Sequence, residues 1–315
     1  FKQKTAYEIR LSLVGSEMCI RDRLKMLSET ANVETLGVIT QKLHRINPAF
    51  YIGKGKAQQV IEQAKLLNAN VVIFDDELSP AQIKNYHKLA KKIKVIDRSA
   101  LILDIFKKRA KTREAKTQVE LALCQYLLPR LTRQWTHLER QMGGVGTRAG
   151  MGETQIEIDR RLIREKISKL KIDLKKIDSE RKTQSQNRGK EYRVALVGYT
   201  NAGKSTLFNS LTGNEVYVEN QLFATLDTTV RKLKLNKKHQ VLLSDTVGFI
   251  RKLPHNLVAS FRSTLKELLE ADHILIVLDA SSNIIEEHLE TINLVLNELG
   301  AVSYTHLTLP TKRIV

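Results

Sequence analysis

Gly198-Tyr-Thr-Asn-Ala-Gly-Lys-Ser-Thr206 is the stretch whose residue types and spacing can do chemistry. In a GxxxxGK[ST] run the glycines let backbone N–H groups wrap a polyphosphate. Lys204 supplies the charge for β- and γ-phosphates, and the Ser205 hydroxyl is a ligand for Mg²⁺. Gly198, Tyr199, Thr200, Asn201, Ala202, Gly203, Lys204, Ser205 and Thr206 are therefore expected to surround a nucleoside triphosphate. The setting agrees: Tyr192–Val197 reads as an apolar strand, and Leu207, Phe208 and Leu211 continue as a helix. Such a helix points its positive N-terminal end at the phosphates.

Two further segments follow in the order that this chemistry needs. Val241 begins a strand that ends in Asp245-Thr246-Val247-Gly248, a DxxG pattern. Asp245 is expected to hold Mg²⁺ through water, and the Gly248 amide to sense the γ-phosphate. Between the two motifs lie Phe223, Ala224, Thr225, Leu226 and Asp227, where Thr225 can close over Mg²⁺ as a switch threonine. Catalysis is thus assigned to Lys204, Thr225 and Gly248, and direct metal ligation to Ser205 and Thr225. Phe249 follows the DxxG pattern, where small GTPases commonly place a glutamine to orient the attacking water. Phenylalanine cannot do that, so slow intrinsic hydrolysis, raised by a partner, is expected. Asn201 inside the loop also raises a K⁺ requirement as a hypothesis.

The elements that must position these residues read as α/β. Residues 24–110 alternate strand and helix: Val33–Thr40, Lys56–Leu67, Val71–Phe74, a helix opening at Ser79-Pro80, then Ile93–Ile96. Residues 111–188 read as an antiparallel helical hairpin. Its first helix carries Val119, Leu123, Leu127 and Leu131, with Pro129 as a kink or boundary. Its second runs from Ile156 to about Arg188, with Ile163, Ile167, Leu170, Leu174 and Ile177 as a heptad seam. A glycine-rich basic tip, Arg140–Gln155, joins them and suits contact with RNA phosphates. Residues 189–301 form a P-loop NTPase domain of the doubly wound kind, expected to be incomplete at its C-terminal side.

Bulk charge points the same way. The 315 residues hold 52 Lys and Arg against 34 Asp and Glu, a net charge of +18. An excess of that size suits a polyanion partner, because Lys and Arg release counterions from phosphates. Arg160, Arg161, Arg164, Lys166, Lys169, Lys171, Lys175 and Lys176 concentrate it on the second hairpin helix. No run of 18 uncharged apolar residues occurs, which argues against a membrane span. Cys19 and Cys124 are too few for a disulfide framework. Residues 1–23 and 302–315 resemble translated adapter read-through and are expected to lie outside the native fold.

Taken together the motifs resemble the HflX family of translational GTPases, from about Leu24 to Gly300. Tyr51-Ile-Gly-Lys-Gly-Lys56, Phe74-Asp-Asp-Glu-Leu-Ser-Pro80, Val95-Ile-Asp-Arg98 and Leu103-Asp-Ile-Phe106 are similar to that family's N-terminal domain. Gly144-Val-Gly-Thr-Arg148 with Gly152-Glu-Thr-Gln155 resembles its glycine-rich signature, although Ala149-Gly-Met151 is one residue longer than the usual spacer. The resemblance implies a monomeric cytoplasmic GTPase that takes GTP and Mg²⁺, gives GDP, and binds the large ribosomal subunit and its rRNA. Splitting or rescue of stalled ribosomes would follow. The [NT]KxD motif that reads guanine does not occur before or after Gly300. Two alternatives therefore stay open: an RNA-binding module whose nucleotide domain is inactive, and a P-loop ATPase.

Overall fold

The computed structural model describes residues 6–12, 17–43, 45–131, 155–186, 191–213, 222–223, 225–236, 239–250 and 266–300. They fall into two compact units. The first takes the described part of Phe1–Arg188 together with Glu219–Asp227. The second takes the described part of Gly189–Val218, Thr228–Lys252 and Arg262–Val315.

In the first unit the chain runs β1 (Ala6–Ser12), α1 (Glu17–Thr30), β2 (Thr35–Lys42), α2 (Lys54–Leu66), β3 (Val71–Phe74), α3 (Pro80–Leu89), β4 (Lys94–Asp97) and α4 (Arg98–Arg109). The hairpin helices α5 (Arg113–Leu127) and α6 (Gln155–Gln186) follow. The four strands form a parallel sheet in the order β2-β1-β3-β4. Residues 1–23, expected outside the fold, thus contribute the strand that joins β2 to β3. The alternation of Tyr7, Ile9 and Leu11 with Glu8 and Arg10 has the two-residue period that a strand requires. Residues 302–315 and the glycine-rich tip at 140–154 lie outside the described residues.

Local chemistry starts the helices. Ser79 accepts from the Gln82 amide at 3.2 Å while Gln82 Oε1 accepts from the Ser79 amide at 2.8 Å, a reciprocal cap behind Pro80. Asp97 caps α4 by accepting from Ala100 N at 2.9 Å, and Thr112 caps α5 by accepting from Ala115 N at 3.1 Å. The core between sheet and helices is built on Phe74, Tyr86, Val60, Ile61 and Leu78. Tyr86 meets Phe74 at 5.1 Å between ring centroids and donates its hydroxyl to the Phe50 carbonyl at 2.7 Å, so its polar end is satisfied. Burial raises the Asp97 carboxyl above its ordinary value, although Ala100 N–H, Arg130, the Tyr126 hydroxyl and Leu78 N–H all favour its charged form.

The hairpin packs Leu121, Cys124 and Leu131 against Ile163 and Leu170, with Leu128, Ile167 and Leu174 around them. Each well-buried leucine here is worth about 1.5–3 kcal/mol. Ile163, Ile167, Leu170 and Leu174 of the expected α6 seam are in this cluster and Ile177 is not, while the seam of α5 differs. Leu121, Cys124 and Leu128 face α6, whereas Val119 and Leu127 are buried outside this cluster. Eight of the helix's fifteen residues are buried and they span more than one face, so its apolar spacing marks more than one contact. It ends at Leu127, and Pro129 sits in the 3₁₀ turn Leu128–Arg130 that follows.

The second unit holds β5 (Tyr192–Gly198), α7 (Lys204–Thr212), β6 (Thr229–Lys234), β7 (Gln240–Asp245), the short α8 (Lys266–Leu269), β8 (His273–Val277) and α9 (Ile285–Leu299). Its sheet runs β6-β7-β5-β8, with β6 antiparallel to β7 and the other pairs parallel. Leu196, Phe208 and Leu243 form the core between the sheet and α7. Among the described residues no helix is long and apolar enough to cross a membrane.

Candidate nucleotide site

Strand β5 carries the chain into the phosphate loop from the middle of the sheet. Ala195, Leu196 and Val197 are fully buried between β7 and β8. At Gly198 the neighbouring strand comes so near that a Cβ would stand 2.3 Å from the Val277 carbonyl oxygen. No other residue type fits there. The loop then turns through Asn201 at φ 63° and Gly203 at φ 84°, both left-handed. Gly203 is the N-cap of α7 and brings no side chain to the helix end. The first amides of α7 are left to an anion, with the helix dipole behind them.

Lys204 and Ser205 open that helix. Lys204 is 6 % exposed, and its ammonium donates to the Tyr199 carbonyl at 2.8 Å. Burial lowers its pKa from 10.5 to about 8, a shift that nearby Asp245 opposes. The Ser205 hydroxyl donates to Asp245 Oδ2 at 2.6 Å. A hydroxyl and a carboxylate brought together beside a lysine are the hard oxygen donors that suit Mg²⁺. The residues present therefore fit the metal, with Ser205 as a direct donor and Asp245 placed to hold it through water. Bound there, Mg²⁺ would neutralise phosphate charge.

Asp245 ends β7 and is fully buried, as is Thr246, whose hydroxyl donates to the Leu196 carbonyl at 2.6 Å. That bond ties the DxxG turn to β5, so Thr246 acts on the site through the backbone. Val247 is half-buried. Gly248 lies against the phosphate loop: a Cβ there would be 2.7 Å from Thr200 Cα and 2.8 Å from Lys204 Nζ. The structure thus brings Lys204, Ser205, Asp245 and Gly248 into one place, as their spacing predicts. Thr225 and Asp227 belong instead to the first unit, with Phe223 and Leu226, and Ala224 lies outside the described residues.

Two features of the site escape sequence reading. Phe249, 2 % exposed, forms a parallel bridge with Tyr199. Its amide donates to the Gly198 carbonyl at 3.0 Å, and its carbonyl accepts from Thr200 N at 2.7 Å. The residue that cannot orient water is therefore a backbone clasp on the phosphate loop. Second, Tyr199 stacks on His288 of α9, with ring centroids 4.0 Å apart and planes 18° from parallel. No local pattern announces a pair 89 positions apart.

Comparison with known proteins adds the family. The family described as GTP-binding GTPase N-terminal matches residues 21–107, GTP-binding GTPase Middle Region matches 109–188, and 50S ribosome-binding GTPase matches 193–304. GTPase HflX of Flavobacterium psychrophilum is 50 % identical over 300 residues, covering 91 % of this chain and 72 % of the relative. GTPase HflX of Escherichia coli is 49 % identical over 277 residues, covering 87 % of this chain and 65 % of that one. The chain thus spans about two thirds of the length of such relatives. Among solved structures, the complex of SsGBP with GDP superposes with a TM-score of 0.55 at 27 % identity, over 95 % of this chain and 79 % of that one. A GTP-binding protein from Sulfolobus solfataricus in complex with GDP gives 0.50 at 26 %, over 94 % and 78 %.

Proposed function

The chain belongs to the HflX family of GTPases, and from that premise we propose that it binds GTP with Mg²⁺, hydrolyses it, and works on the large ribosomal subunit. The observation that carries the nucleotide reading is the Ser205–Asp245 pair at 2.6 Å beside buried Lys204, at the open end of α7. Lys204 would bear on the phosphates, Ser205 and Asp245 would hold the metal, and the Gly248 amide would meet the γ-phosphate. Thr225 would complete the metal shell when the switch segment closes. The buried Phe249 side chain supports slow hydrolysis in the free protein, because it offers no hydrogen bond to an attacking water. Asn201 carries the K⁺ hypothesis; equal hydrolysis in K⁺ and Na⁺ would end it.

The ribosomal part rests on charge and on the family's description as ribosome-binding. Arg160, Arg161, Arg164, Lys169, Lys171, Lys175 and Lys176 are all exposed on α6. Only Lys166 turns partly inward, where it pairs with Glu120. A helix face of this kind suits the phosphates of rRNA. We assign residues 24–110 and 111–188 as the parts that reach RNA and 189–301 as the nucleotide part, in a cytoplasmic monomer that splits or rescues stalled ribosomes.

A second reading is an RNA-binding module with an inactive nucleotide domain, for which the exposed basic face of α6 speaks. Competition of GDP, GTP and ATP for the chain separates the two. Tight guanine-nucleotide binding that ATP does not displace supports the GTPase; no binding of any nucleotide favours the module. Preferential displacement by ATP would point to a P-loop ATPase. Sedimentation with large ribosomal subunits, with and without a GTP analogue, tests the partner.

A further inference from the structure

Tyr199 joins the phosphate loop to its surroundings at several points within the second unit. Its carbonyl accepts from Lys204 Nζ at 2.8 Å and from Ala202 N at 3.2 Å, and the residue bridges Phe249. The carbonyl that holds the phosphate-binding ammonium therefore belongs to the residue whose ring stacks on His288, 4.0 Å between centroids. Stacked rings contribute beyond the area they bury. His288 lies near the start of α9, and that start has no side-chain cap at Ile284. The His288 amide donates to the Ile284 carbonyl at 3.1 Å. An uncapped first turn leans on tertiary contacts to stay formed. Farther along, Ile292, Val295, Leu296 and Leu299 are buried and hold the body of the helix by packing. The body of α9 thus belongs to the core, while its start carries a ring against the phosphate loop.

We propose that His288 is a positioning residue for the phosphate loop: its ring steadies Tyr199, and the Tyr199 carbonyl in turn fixes Lys204 for the phosphates. This rests on the nucleotide reading above. His288 itself touches no phosphate and acts through Tyr199. A loop held in place before its ligand arrives loses less freedom on binding, so affinity rises without a new contact. Diphosphate and triphosphate gain alike, because both carry the β-phosphate that Lys204 meets. By reciprocity, a nucleotide that orders the loop steadies the start of α9 by the same factor.

The test measures Kd for Mg²⁺·GDP on the unaltered 315-residue chain and on His288→Ala, His288→Phe and Ile292→Ala, each with a thermal melt. His288→Ala is expected to weaken GDP about fivefold, and His288→Phe, which keeps a flat ring, to stay within about twofold of the unaltered chain. Ile292→Ala empties a fully buried position of the same helix. It should lower the melting temperature more than His288→Ala does, yet leave GDP affinity within about twofold. Unchanged affinity in His288→Ala would overturn the proposal. So would an equal loss in Ile292→Ala, since the effect would then be general helix stability, or a failure of His288→Phe to restore binding. Hydrogen exchange on the unaltered chain gives a readout that no variant can spoil by misfolding. The His288 amide should exchange about fivefold more slowly with GDP bound, and unchanged exchange would overturn the coupling. If the unaltered chain binds no GDP, the nucleotide reading itself fails; if it binds GDP and His288→Ala binds as tightly, only this inference does.

Discussion

Lys204 donates to the carbonyl of Tyr199 at 2.8 Å, so the lysine closes its own phosphate loop into a ring. The bond lets a buried ammonium persist without a phosphate, though burial still lowers its pKa to about 8.

A pH dependence follows from that value. Below about pH 8 Lys204 is charged in the folded chain, and it is charged in the unfolded chain up to its ordinary value of 10.5. Between the two the unfolded state holds the extra proton, so this residue's contribution to stability rises with pH and is flat below about 8. Affinity for GDP should run the other way, falling as pH climbs past about 8 and the ammonium is lost. Thermal melts and GDP titrations between pH 6.5 and 10, set against Lys204→Met, measure both slopes; the variant should show neither.

The Ser205–Asp245 pair predicts a metal effect that can be read without turnover. Chelating Mg²⁺ should weaken GDP binding to the unaltered chain, and Ser205→Ala should reduce that Mg²⁺-dependent gain by about tenfold. Without metal, the same substitution strips a buried carboxylate of a hydrogen bond, which costs about 1–3 kcal/mol in a denaturant melt. Full Mg²⁺ dependence in Ser205→Ala would place the metal elsewhere.

Gly248 tests how tightly the DxxG turn lies on the phosphate loop. A methyl there would press on Thr200 Cα, backbone that cannot swing aside as a side chain can. Gly248→Ala should therefore lower stability by about 1–3 kcal/mol. Gly53 and Gly55 meet nothing within 4 Å of an added Cβ, so Gly53→Ala and Gly55→Ala serve as near-neutral controls.

The outer face of α6 should govern affinity for RNA through salt. Replacing Arg160, Arg161 and Arg164 together by alanine should flatten the dependence of log K on log salt by about 2. Lys166→Ala, at a half-buried site paired with Glu120, should change that slope much less. Filter binding to an rRNA fragment over a range of KCl concentrations provides the measurement.

What was legible in the sequence was local. The phosphate loop, the DxxG turn and the Ser79 cap each need only a few residues at fixed spacing, and each stands where spacing puts it. Phe249 was legible as a missing glutamine but not as a clasp, because its role lies in backbone bonds to Gly198 and Thr200. The bond from Thr112 to Asp227 spans 115 positions, and no period along the chain encodes it. The face of α5 was misread for a related reason. Apolar residues at helical spacing identify a buried stripe, but a helix buried on more than one face offers several stripes of equal merit.

That burial of α5 has a consequence for how the chain tolerates change. Ala115, Gln118, Val119, Leu121, Ala122, Cys124, Tyr126 and Leu127 point in all directions from one helix and are all enclosed. In a library of random variants selected for folding, these eight positions of α5 should therefore survive almost unaltered, while exposed Arg113 and Lys116 and the outward positions of α6 accept most polar replacements. The hairpin would then carry one arm frozen by packing and one free to be retuned for whatever surface it meets.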